Sequence, residues 1–140
     1  VYSLEQAPEH AARCRAELTR YGLAGRATVL DAPLRPYILG NERYAWYEIA
    51  GMSASAIDLL VIDGPPGRSA PLARYPALPL LFDRLAPACA IYLDDAARPD
   101  EQVILKRWQA EFPDLAVTEV HTGRGCALLQ RRPQAQAEAL

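Results

Sequence analysis

The sequence predicts an α/β domain built on a mainly parallel sheet, and three observations carry that expectation. Short apolar runs alternate with stretches of helical periodicity. Two of the runs, 57–62 and 88–93, are nearly continuous in apolar residues, as suits parallel strands buried on both faces. The strand-like runs also close on acidic residues: Glu5, Asp31, Asp63 and the Asp94–Asp95 pair. At 140 residues the chain has room for one ordinary domain. Its 51% hydrophobic and 23% charged composition excludes a disordered or fibrous chain. A formal net charge of -2 gives no electrostatic reason for a nucleic-acid or anionic-membrane partner.

Each element has its own signal. Val1–Leu4 reads as a strand ending at Glu5. Ala7, Ala11, Cys14, Leu18 and Tyr21 then recur at helical steps, with Pro8 in the first turn and Gly22 as the stop. Residues 27–30 form the next strand, ending at Asp31. Residues 32–44 contain Pro, Gly and Arg and are expected as loop, with a short strand over 46–49. The run 57–62 stops at Asp63-Gly64-Pro65-Pro66-Gly67, a sequence fit only for loop. Leu78, Leu81, Phe82 and Leu85 mark a helix face whose regular part is expected after Pro76 and Pro79. Residues 88–93 are a buried strand ending at Asp94. Ile104, Trp108 and Phe112 stripe a helix between Pro99 and Pro113. Residues 115–120 and 126–130 read as a closing antiparallel pair. The domain is expected over residues 1–132, with 133–140 as a frayed tail. Cys14, Cys89 and Cys126 lie far apart in apolar surroundings and read as buried, reduced thiols of a cytoplasmic protein.

In parallel sheets ligands bind beyond the carboxyl ends of the strands, where the acidic residues gather. Glu5 could accept both ribose hydroxyls of a nucleoside cofactor, or serve only as a helix cap. Asp31 with Ala32 could border an adenine. Asp63, Asp94 and Asp95 would repel one another without a positive partner, and three converging carboxylates suit Mg²⁺ or Mn²⁺. Arg98 is the rival counter-charge. Arg68 and Arg74 read as solvated surface residues, with an acidic substrate as their alternative role. His10 and His121 have no partner at ligand or triad spacing, and nucleophile-elbow, Walker and HExxH patterns are absent.

Four segments together resemble a known family: Val1–Glu5, Ile62–Gly67, Arg74–Leu78 and Leu93–Ala96. Their order and spacing are similar to class I S-adenosylmethionine-dependent methyltransferases, in the catechol-O-methyltransferase-like branch called methyltransferase family 24. The resemblance runs from residue 1 to about residue 132. It implies a Rossmann-like sheet with S-adenosylmethionine as cofactor, Glu5 on the ribose, and Asp31 and Ala32 beside the adenine. It further implies a cation on Asp63, Asp94 and Asp95, with Asp63 closest to the chemistry. Two features depart from the family. Pro66 stands where metal-dependent members carry a lysine base. The family's first strand and glycine-rich loop, which precede the Glu5 position, have no counterpart in these residues.

The expected protein is thus an O-methyltransferase acting on a small-molecule or sugar hydroxyl, with possible help from a divalent cation and a possible homodimer. No membrane or nucleic-acid partner is expected. A non-catalytic Rossmann-like binding module is the alternative. A nicotinamide-dependent oxidoreductase would also explain Glu5, but it gains nothing from the three aspartates.

Overall fold

Glu5 and Asp31 end neighbouring strands in the computed structural model, which describes residues 1–121 and 123–132. The expected tail over 133–140 lies outside the described residues. Strands β1 (Tyr2–Glu5) and β2 (Thr28–Asp31) pair in parallel, from Tyr2 opposite Thr28 to Glu5 opposite Asp31. Helix α1 (Pro8–Arg20) connects them, with Pro8 in its first turn and Gly22 just beyond it at φ +69°. Its apolar stripe is only partly covered. Ala11 is buried, but Tyr21 and Cys14 are exposed, so Cys14 is not the buried thiol expected. All three cysteines are free, and Cys89 is buried.

Most of the loop expected over 32–44 is a β-hairpin, β3 (Leu34–Leu39) and β4 (Glu42–Tyr47). Leu39 pairs with Glu42 across Gly40, at φ +60°, and Asn41. Pro36 argues against a central strand, but here it pairs with Ala45 in a two-stranded ribbon, where each strand keeps a free edge.

A four-stranded sheet holds the rest, in the order β5-β6-β8-β7. β5 (Ile57–Ile62) runs parallel to β6 (Leu85–Asp94), with Ile62 opposite Leu93. β8 (Cys126–Arg131) and β7 (Leu115–Val120) continue the sheet antiparallel, as the closing pair predicts. β6 begins at Leu85 rather than at 88. Helix α2 (Ala77–Leu81) includes Pro79 instead of starting after it, because first-turn N–H groups have no intrahelical partner to lose. Helix α3 (Pro99–Glu111) falls between its two prolines as predicted.

The core lies on one face of this sheet. Cys89, Ile91, Leu93, Ala127 and Leu129 are buried there with Leu78 of α2 and Ile104 and Trp108 of α3. The indole Nε1 of Trp108 donates to the Tyr75 carbonyl at 3.0 Å. Arg107 of α3 ties down the hairpin tip through Glu42 and the Tyr44 hydroxyl. The opposite face has no such cover among the described residues. Leu59 is 57% and Val61 63% exposed, with Tyr92 beside them, so the two-sided burial expected for 57–62 is not found. The β1–β2 pair is not hydrogen-bonded to this sheet. No helix among the described residues is long and apolar enough to cross a membrane.

Candidate functional site

Parallel pairing of β5 with β6 brings Asp63 beside Asp94, because Ile62 and Leu93 are already opposite each other. Asp95 then adopts a left-handed backbone, φ +55°, which Asp tolerates better than most residues. Its side chain is 5% exposed. Asp63, Asp94 and Asp95 each bring an oxygen within 4.8 Å of the others, so the convergence the sequence predicts is present.

The positive partner is an arginine that the sequence reading places at the surface. Arg74 is buried, only 3% exposed. Its guanidinium donates to the backbone carbonyls of Asp94 at 2.9 Å, Asp63 at 3.0 Å and Pro65 at 3.4 Å. It also meets the carboxylates of Asp95 at 3.2 Å, Asp63 at 3.4 Å and Glu101 at 3.6 Å. A planar fork with five N–H donors can satisfy this many acceptors from one position; an ammonium cannot. Arg98 joins Asp95 at 2.8 Å and Arg124 joins it at 3.3 Å. Arg124 is delivered by the β7–β8 turn, whose Gly125 (φ +78°) lies so close to Ala97 that an added Cβ would sit 3.0 Å from the Ala97 nitrogen.

Asp95 is therefore committed to guanidinium groups, and the repulsion among the aspartates is offset by arginine. Asp63, mostly exposed, keeps one 3.4 Å contact with Arg74 and shares a hydrogen bond with Asp94, which has no arginine partner among the described residues. Asp63 is held above the ordinary carboxyl range, first by desolvation, then by hydrogen bonding and charge from Asp94, with Arg74 opposing. Hard carboxylate oxygens fit Mg²⁺ or Mn²⁺, although the buried Asp95 Oδ1 already faces the Arg124 guanidinium. The donor set thus fits a cation held through Asp63 and Asp94, with Asp95 behind them.

At the other pair of strand ends, Glu5 is half-buried. Its Oε1 accepts the Ala7 N–H at 2.9 Å, a local turn bond just ahead of α1 and not a cap of the helix, whose N-cap is Ala7; among the described residues Oε2 has no such bond. Ala32 is fully buried and donates its N–H to the Glu5 carbonyl at 2.8 Å. Asp31 is exposed and pairs with Arg15 at 3.0 Å. Beyond the expected residues, the hairpin returns Tyr47 to this edge. The Tyr47 hydroxyl covers Gly64 so closely that a Cβ there would overlap it. From the sequence, Trp46-Tyr47 reads as core or loop packing with an aromatic pocket wall as its alternative, and its placement over Gly64 is not local information; Arg74 lies within a motif and only its burial is hidden.

No model of a known protein family matches the sequence, and no curated protein does. Solved structures do. The chain is similar to a methyltransferase from Geobacter sulfurreducens, with TM-score 0.60 and 18% identity over 94% of this chain and 57% of that one. An O-methyltransferase from Bacillus cereus, solved in complex with SAH, gives TM-score 0.63 and 18% identity over 94% and 62%. A SAM-dependent O-methyltransferase from Thermotoga maritima gives TM-score 0.60 and 14% identity over 96% and 50%. The chain spans about three fifths of the length of the first two structures and half that of the third. What these likenesses share with the chain is the fold: α/β, Rossmann-like, with a parallel core and antiparallel closing strands.

Proposed function

We propose that this chain is the larger part of an S-adenosylmethionine-dependent O-methyltransferase of the family 24 type, acting on the hydroxyl of a small molecule. The supporting observation is the sheet. Its two parallel pairs, β1–β2 and β5–β6, both end in acidic residues, yet they are not joined to each other. One strand between β1 and β5 would unite them. A segment carrying that strand and its helix would also supply cover for Leu59 and Val61. The family's first strand and glycine-rich loop occupy that place.

S-adenosylmethionine supplies the activated methyl group, so the protein's task is chiefly alignment. In this reading Glu5 accepts ribose hydroxyls through its unused Oε2, and Ala32 walls the base. Asp63, at the mouth of the adjoining loop, accepts a hydrogen bond from the substrate hydroxyl and orients its oxygen. Arg74 holds the Asp63 and Asp94 carbonyls and so fixes the two loops relative to each other.

A second reading is favoured by the convergence of the three carboxylates within 4.8 Å. Here Asp63 and Asp94 would hold a divalent cation, which would supply Lewis-acid activation of the substrate hydroxyl. Methyl transfer from S-adenosylmethionine by the full-length protein, before and after exhaustive chelation, separates the readings. Activity lost on chelation and restored by Mg²⁺ or Mn²⁺ selects the cation, and activity that survives selects direct contact by Asp63. A full-length protein that binds no S-adenosylhomocysteine refutes both and leaves the non-catalytic module.

A further inference from the structure

We infer that Tyr47 is a cofactor-binding residue, donating a hydrogen bond from its hydroxyl to the nucleoside portion of the ligand held between Glu5 and Asp63. The inference rests on the methyltransferase reading above and adds a residue to that site.

Three observations carry it. The first is placement. The β3–β4 hairpin leaves directly after Ala32 and returns at the carboxyl ends of the strands, with Tyr47 paired to Leu34 and the Glu48 N–H bound to the Pro33 carbonyl at 3.0 Å. The second is rigidity. The Tyr47 carbonyl accepts the Tyr37 hydroxyl at 2.9 Å, and its ring meets the Trp46 ring edge-on at 5.4 Å between centroids. A side chain held in this way loses little freedom when it binds. The third is an unused donor. The hydroxyl covers Gly64, at the head of the Asp63 loop, within electrostatic reach of Glu5, Asp63 and Arg74. Among the described residues no group lies within hydrogen-bond distance of it. The hydroxyl is not sealed from solvent, so it can exchange water for a ligand oxygen without breaking a bond inside the protein. In the proposed reading Glu5 accepts hydrogen bonds from ribose hydroxyls, so a neighbouring donor that serves a ribose oxygen complements it.

The test uses the full-length protein and isothermal titration with two probes, S-adenosylhomocysteine and adenosine. Tyr47→Phe keeps the ring and removes only the hydroxyl. Affinity should fall roughly 3- to 10-fold for both probes, the worth of one neutral hydrogen bond, with the melting temperature unchanged. Equal affinity of variant and wild type for both probes overturns the inference. A loss for S-adenosylhomocysteine alone overturns the nucleoside assignment, and a lowered melting temperature makes the hydroxyl a structural group instead. Wild-type protein that binds neither probe fails earlier, and refutes the methyltransferase reading itself.

Discussion

Replacing Arg74 by Ala tests whether the acidic loops are held by one buried guanidinium. The side chain is almost fully buried, so solvent screening does not excuse the loss. Its removal strands three backbone carbonyls, those of Asp63, Pro65 and Asp94. It also leaves Glu101, with a side chain 3% exposed, without its arginine. Asp95 is better placed, because Arg98 and Arg124 remain. Removing one partner of a buried pair typically costs about 3–5 kcal/mol. The surviving arginines bring this to the low end, about 3 kcal/mol, and the one fully buried carbonyl, that of Pro65, adds about 1 kcal/mol. A loss of about 4 kcal/mol is expected, a large share of the roughly 5–15 kcal/mol that holds a domain together. Urea unfolding of the full-length protein measures it, with an unchanged slope showing that the unfolding reaction is the same. Arg74→Lys should recover only part of the loss, because an ammonium cannot span carbonyls of two loops. Adding Glu101→Gln to Arg74→Ala should return about 1–2 kcal/mol by removing the stranded charge. A loss below about 1 kcal/mol for Arg74→Ala would refute the clamp, since that is the worth of an exposed pair.

Other consequences can be measured separately. Glu5→Ala in the full-length protein should weaken S-adenosylhomocysteine binding about 10- to 150-fold, the worth of hydrogen bonds to a charged acceptor. Unchanged calorimetric affinity removes Glu5 from the site. Val61→Asp reports on the bare sheet face: if a further segment covers it in the whole protein, the charge should cost more than about 2 kcal/mol. A cost under about 0.5 kcal/mol shows the face open to water. Burial, with the charges of Glu5 and Asp63, pushes the Tyr47 hydroxyl up to about 12. Because the folded value lies above the unfolded one near 10, its contribution to stability is complete below pH 10 and lost as the pH climbs toward 12. Tyr44 and Tyr75 are raised as well, chiefly by burial, so ultraviolet titration should show a group of tyrosines ionising after the exposed ones, and Tyr47→Phe should reduce that late group by one.

The parallel strands were legible because burial writes itself into composition. Ile91 and Leu93 must be apolar to face α2 and α3, and the run 88–93 shows it. The same rule misled at β5. Leu59 and Val61 read as buried on a second face, yet that face is bare within these residues. On the proposed reading, their apolar character suits a covering segment, which local pattern alone does not display. The hairpin was missed for the opposite reason. Gly40-Asn41 is a sound two-residue turn signal, but Pro36 reads as a breaker unless the strand is known to be an edge, and edges are settled only by topology.

The site divides along the same line. Carboxylates after strands are visible one at a time, and parallel pairing brings Asp63 to Asp94 because their strands are neighbours in register. What neutralises them is not local. Arg74 is about twenty residues from Asp94 in sequence, and nothing in Arg74-Tyr75-Pro76 says whether the guanidinium faces water or carbonyls. Charge balance nevertheless points to an answer. Three clustered carboxylates need positive charge, and in a chain with fourteen arginines and one lysine that charge comes most cheaply from arginine. Once Arg74, Arg98 and Arg124 supply it, a divalent ion is no longer needed to hold the loops together. Its only remaining purpose would be chemical, on the substrate oxygen at Asp63 and Asp94. The two roles separate experimentally. Chelation should leave the melting temperature where it was even if it abolishes methyl transfer. A melting temperature that falls on chelation would mean that the arginines do not suffice and that the ion is part of the fold.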